Sequence, residues 1–343
     1  MTAPALRTSR LGAYMRFVAA VIYFFAARGV AAHAALGLAS ESWSPLVEQI
    51  LFVFLLLVGY SSMGFWFDKQ MHPITEQGLP RRRGWTREAG LGIAAGWGIA
   101  LVCVLAMAFA GGIATSFTWH LANLGWLIVN LVFFALVALG EEVAFRGYGF
   151  QSFAASVSPL GASLGYAAFY AILQAMIPGA SHASICVGVV FSLLLSAAYV
   201  RTRALWVGWG LNFGWKASRA LLFGLSVTGV NSRSPIVQGN PMGSFWLTGG
   251  AFGLDGSWFA CLVMIAALPV VFRLTSDLNF LHNAPVIVPG GLAVDLDAVS
   301  RAQHEAAMGP AQPATPTLVQ ILPASAPPPL PTVLPGQGST SGQ

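Results

Sequence analysis

Charge is scarce in this sequence. Lys, Arg, Asp and Glu make up 8% of 343 residues, where a soluble domain carries about a quarter. With 56% hydrophobic residues and a mean hydropathy of +0.70, an ordinary water-soluble globule is excluded and lipid must be the solvent. Strict alternation of apolar and polar residues is also missing, which argues against barrel strands. Inside a bilayer only helices and closed barrels satisfy their own backbone groups, so helices remain. Cysteine is equally sparse: Cys103, Cys186 and Cys261 all fall in apolar runs and are read as small core residues, with no disulfide framework. No internal repeat at a fixed period is present, so neither a solenoid nor a duplicated transporter half is supported.

What is there is a series of long apolar runs. The expected fold is all-α, a polytopic transmembrane bundle of about eight spans with a disordered C-terminal tail. The runs are Met15–Leu36, Leu46–Phe67, Ala89–Ala110, Leu121–Leu139, Gly161–Ile177, Ser184–Val200, Leu205–Leu225 and Trp246–Phe272, each long enough or nearly so for a hydrocarbon core that takes about 20 residues. Short cytoplasmic loops collect Lys and Arg. Arg7 and Arg10 precede the first run, and Lys69, Arg81, Arg82, Arg83 and Arg87 fill the loop after the second. Arg201, Arg203 and Arg273 fall on the same side, whereas the other side carries Arg233. A cell-membrane protein with both termini cytoplasmic follows. Ala32-His33-Ala34 looks like a cleavage site, but the long run and Arg28 just before it favour a retained anchor.

The net charge of +5 follows from this topology, with anionic lipid rather than nucleic acid as the expected partner of the basic rim. From Thr275 onward prolines accumulate, as in Ala326-Pro327-Pro328-Pro329-Leu330-Pro331, and such a segment cannot bury enough apolar surface to order itself. Three regions are expected: N-terminal spans and a basic loop over 1–120, a core over 121–273, and a Pro/Ala-rich tail over 274–343.

Polar residues where lipid should be are costly and usually functional. At the end of the fourth run the chain reads Gly140-Glu141-Glu142-Val143-Ala144-Phe145-Arg146-Gly147. Glu142 and Arg146 are four apart and share a helical face, so they can pair. Glu141 lies about 100° round the helix and stays free to face a cavity. A helix-end ion pair at the interface is the bland alternative. Arg28 in the first span is read as snorkelling or internally paired, Arg219 as lining the cavity, and Gly249-Gly250 as a turn or close-packing device, since no phosphate-binding lysine motif follows.

The two glutamates followed by Arg146 resemble the first motif of the CAAX protease and bacteriocin-processing family of intramembrane proteases. The resemblance continues through Tyr170-Ala171-Ile172-Leu173-Gln174, Arg201-Thr202-Arg203-Ala204-Leu205-Trp206 and Gly210-Leu211-Asn212-Phe213-Gly214-Trp215-Lys216, and covers roughly 131–268. It implies an endopeptidase of membrane-borne peptides, in some members of prenylated proteins. It also implies a site at Glu141, Glu142, Arg146, Gln174, Asn212 and Lys216. Two departures matter. The family's second motif ends in histidine where this chain has Gln174, and its third begins with histidine and ends with asparagine where this chain has Asn212 and Lys216.

If the family's histidines bind zinc, this chain has lost its ligands, because zinc prefers imidazole or thiolate to a neutral amide. No cofactor is therefore expected. If instead Glu141 activates water, Gln174 can still orient it, and Asn212 with Lys216 can donate to developing negative charge. A lysine beside Glu141 would also pair with it and occupy the base. The expected function is a catalytically impaired relative that binds a membrane-embedded or prenylated peptide; the alternatives are an active CAAX-type peptidase and, in third place, a transporter. No histidine substitutes: His182 is placed in an external turn, with Glu141 expected at the opposite membrane face. With that placement Gln174 is the outlier, near the far end of the fifth span; either that span starts later or the helices are irregular around a water-filled cavity between the fourth, fifth and seventh spans, and the resemblance favours the second.

Overall fold

The computed structural model describes residues 10–276 apart from 119, 231–233 and 235, together with 278, 286–287 and 293–294. Arg233, His282, His304 and the proline-rich stretch lie outside the described residues. The chain forms one compact unit, Met1–Asn283, and a second, Ala284–Gln343.

The first unit is almost entirely helical. Helices α1 (Arg10–Leu38), α2 (Ser44–Asp68), α3 (Pro73–Glu76), α4 (Trp85–Phe109), α5 (Leu121–Arg146), α6 (Tyr148–Ser156), α7 (Pro159–Ala175), α8 (His182–Thr202), α9 (Trp206–Ala217), α10 (Phe245–Thr248) and α11 (Trp258–Leu274) follow in order. A π-helical turn, Ser218–Leu222, extends α9. Strand β1 (Ile113–Phe117) pairs antiparallel with β2 (Val237–Pro241), a contact the sequence does not announce. In the second unit β3 (Val286–Ile287) pairs with β4 (Ala293–Val294).

Among the described residues, five helical runs are long and apolar enough to cross a membrane, one of them Asn123–Ser156, and Trp258–Leu274 is a shorter apolar helix. This chain is a membrane protein. Two expected boundaries are corrected. The fourth span does not stop at Leu139: α5 carries the charged motif and passes at Gly147 into α6, giving one run of 34 residues. A Cβ at Gly147 would collide with the carbonyl oxygen of Val143, so a glycine is required at this junction. The last span starts at Trp258 rather than Trp246, because Gly249, Gly250 and Gly253 all take positive φ and break the segment into short turns. The Gly-Gly pair is thus a turn device.

Side chains at the helix ends set the remaining limits. Ser158 accepts from the amide of Gly161 and caps α7. Ser181 and Ser184 form a reciprocal capping box on α8, and Arg203 in the left-handed conformation ends it.

Two cores result. One joins α4, α8, α9 and α11 through residues such as Cys103, Leu194, Leu211 and Met264; the other joins α1, α2, α5, α6 and α7 through Phe24, Leu56, Phe145 and Tyr166. Within the first, α4 and α9 meet backbone to backbone. A Cβ at Gly92 would strike the carbonyl oxygen of Val207, one at Gly96 that of Leu211, and one at Gly210 that of Ala89. Small residues that let two helices touch are how association is driven in lipid, where hydrophobic burial gives little. All three cysteines are free thiols, with the sulfurs of Cys186 and Cys261 3.2 Å apart.

The basic residues gather at one end. Arg82 donates two hydrogen bonds of 2.9 Å to Glu88 and one of 3.0 Å to the carbonyl of Thr202 at the end of α8. Arg201 donates to Thr275 at 2.9 Å just past α11, and Arg16 pairs with Asp68. The loop from α3 to α4 closes over the start of α9, where the amide of Leu205 donates to Gly78 at 2.7 Å and the indole of Trp206 to Pro80 at 2.8 Å.

Candidate active site

The site lies where α5, from one core, faces α9, from the other. Glu142 turns inward and pairs with Arg146 at 3.4 Å, both side chains essentially inaccessible. Arg146 also donates from Nη2 to the carbonyl of Ser192 at 2.7 Å and to its hydroxyl at 3.0 Å, which ties α5 to α8. The spacing of four between Glu142 and Arg146 thus fixes a buried brace. Gly208 on α9 leaves the room: a Cβ there would run into the carboxylate of Glu142.

Glu141 points the other way. Its Oε2 accepts from Asn212 Nδ2 at 2.9 Å, and its Oε1 is held by Lys216 Nζ. Asn212 and Lys216 are one turn apart on α9, so a single helical face takes both carboxylate oxygens. The Glu141 side chain keeps 26% of its exposure, Lys216 only 8%.

That exposure opens onto a cavity of about 470 Å³, within the range of small-molecule sites. Its walls are mostly apolar, with an aromatic set of Phe24, Phe52, Phe133, Phe134, Phe145 and Tyr170. Glu141, Gln174, Lys216 and Arg28 are among its polar members. Phe24 meets Phe52 at 5.9 Å and Phe145 at 6.0 Å between ring centroids, and Phe145 meets Tyr170 at 5.4 Å.

Gln174 is therefore not remote from the other residues. From Glu141 to the end of α6 the chain runs fifteen residues, about 22 Å by helical rise, and from Pro159 up α7 to Gln174 it runs the same length. The two come level because the span continues to Ser156. By the same count Glu141 is inside the span rather than at a membrane face. The charges made the sequence look interfacial there, whereas the protein interior satisfies them.

Arg219 does not line the cavity. The π-helical turn rotates it into the protein, where it is fully buried, with Nη1 3.0 Å from Asp255 Oδ1. Its guanidinium stacks 3.9 Å from the Trp215 ring centroid. Trp215 donates to Asp255 at 3.2 Å, and Thr228 donates to it from backbone and hydroxyl at 2.9 and 3.0 Å. Asp255 escaped the sequence reading because it sits among glycines far along the chain, with no spacing that marks it. His182 opens α8 and is exposed. Among the described residues, no three His, Cys, Asp or Glu side chains come together.

Comparison with known proteins agrees with the motif reading. Residues 122–218 match the family model for type II CAAX prenyl endopeptidase Rce1-like, a segment that contains Glu141, Glu142, Arg146, Gln174, Asn212 and Lys216. The match supports the CAAX protease family for this chain. No curated protein and no solved structure is significantly similar to it.

Proposed function

We propose that this member of the CAAX-type membrane protease family keeps the binding cavity and has lost most of the chemistry: a catalytically impaired relative that holds a membrane-embedded or prenylated peptide. The observation that carries this is the state of Glu141, with one carboxylate oxygen engaged by Lys216 and the other by Asn212. A general base needs a free lone pair within reach of water. Here each oxygen already accepts one hydrogen bond, which holds the carboxylate between Asn212 and Lys216 rather than on a water, and no imidazole lines the cavity among the described residues.

The donor set also does not fit a zinc ion. One carboxylate, two amides and an ammonium replace the imidazole and thiolate that zinc favours, and the ammonium repels a cation.

The binding side of the reading rests on the aromatic walls and on Gln174, whose side-chain amide makes no hydrogen bond to a described residue and borders the cavity. Aromatic walls suit an apolar or prenyl group, and the amide suits a peptide unit. The second reading, a peptidase in which Glu141 activates water, draws on the open quarter of the Glu141 side chain. It requires Lys216 to swing away. The basic end of the bundle is placed on the cytoplasmic side, with the bilayer as partner.

The test is cleavage of prenylated and membrane-anchored peptides by the purified chain, beside Glu141→Ala. Absence of turnover together with retained peptide binding supports the proposal. Turnover abolished by Glu141→Ala establishes the second reading instead.

A further inference from the structure

Among the described residues, the cations held inside the bundle are each matched to a carboxylate: Arg146 to Glu142, Lys216 to Glu141 and Arg219 to Asp255. Arg28 is not. Its guanidinium makes no ion pair or hydrogen bond to a described residue, and its one contact is the face of Phe52, 5.9 Å from the ring centroid. The level is deep, because a Cβ on Gly140, next to Glu141, would meet that same Phe52 ring at 3.2 Å. A charge at this depth is expensive without a counter-ion. Arg28 borders the cavity, at a rim where Phe25 and Met176 are exposed.

Among the described residues, the charged side chains that line the cavity are Arg28, Lys216 and Glu141. Lys216 and Glu141 cancel, which leaves one positive charge. A singly charged anion balances it; a phosphomonoester, with close to two negative charges, would overshoot. The rest of the lining demands an apolar body, and Gln174 demands a polar group along that body, since an alkyl chain packed on the amide would leave it unsatisfied.

We propose that Arg28 is the binding residue for a ligand carboxylate, the free C-terminus of a membrane-borne peptide whose apolar side chains occupy the aromatic chamber. The assignment rests on the peptide-binding reading of this cavity. A guanidinium offers a planar pair of donors to a carboxylate, and its place over Phe52 leaves that edge available. The residue stands in α1, outside the segment that matches the family model, so it would tune which ends this chain accepts.

The experiment compares a fluorescent S-farnesyl tetrapeptide as its free acid and as its C-terminal amide, binding to the full chain in phosphatidylcholine nanodiscs. The native chain prefers the acid by about tenfold or more. Arg28→Gln brings the two within about twofold, and Arg28→Lys keeps part of the preference. Equal binding of acid and amide to the native chain overturns the role of Arg28 alone. So does a preference that survives Arg28→Gln. Binding of neither peptide overturns the peptide reading and the assignment with it, and Arg28-dependent binding of oleate without the peptide has the same consequence. Because Arg28 holds no hydrogen bond, its variants keep the native thermal midpoint, which separates these outcomes from misfolding.

Discussion

Lys216 holds the oxygen of Glu141 that Asn212 leaves free, so one helical face of α9 closes the carboxylate a peptidase of this type would use as base. The ion pair does two things at once. It ties α5 to α9 across the line between the two cores, and it takes up one of the acceptor sites on the carboxylate that would activate water.

Lys216→Met separates those two effects. Breaking a fully buried pair costs about 3–5 kcal/mol, but Glu141 reaches the cavity and is partly solvated, so the expected loss is about 1–2 kcal/mol. The adjacent Asn212 bond remains. Thermal unfolding in detergent should show a fall of a few degrees, with Glu141→Gln added to Lys216→Met costing little more than the single change.

Arg146→Met should be far more damaging. Arg146 and Glu142 are both inaccessible, and Arg146 also holds Ser192. Its removal leaves an unpaired carboxylate in the interior, at about 3–5 kcal/mol. Glu142→Gln combined with Arg146→Met should recover a large part of that loss. If the single change is tolerated as well as Lys216→Met, the brace is not structural.

The seam between α4 and α9 gives a steric prediction. Gly96→Leu places a side chain against the carbonyl of Leu211, whereas the Cβ of Gly98→Leu meets nothing within 4 Å. The first should cost more than about 3 kcal/mol and the second little. Expression level and thermal midpoint of the two, compared side by side, decide it.

The sequence made some elements plain and hid others. Runs such as Ser44–Asp68 and Trp85–Phe109 are apolar throughout and leave no alternative to a span. Glu141, Glu142 and Arg146 misled in the opposite direction, since charge at the end of an apolar run reads as a membrane face. The helix continues because Arg146 finds Ser192 on α8, a partner 46 residues away in sequence, which no local pattern contains. Separation along the chain likewise hid that Gln174 and Glu141 border one cavity, and the β1–β2 pairing across more than a hundred residues. Arg28 and Asp255 carry no motif; only the bundle gives the first its cavity and the second its Arg219.

The central claim is that binding outlived chemistry, and one assay tests it directly. Peptide cleavage is measured for the native chain and for the triple change Gln174→His, Asn212→His and Lys216→Asn, which frees Glu141 and restores imidazoles at the two positions facing it. The account predicts peptide binding with no turnover for the native chain, and turnover for the triple variant that Glu141→Ala abolishes. Turnover by the native chain that Glu141→Ala removes would contradict it.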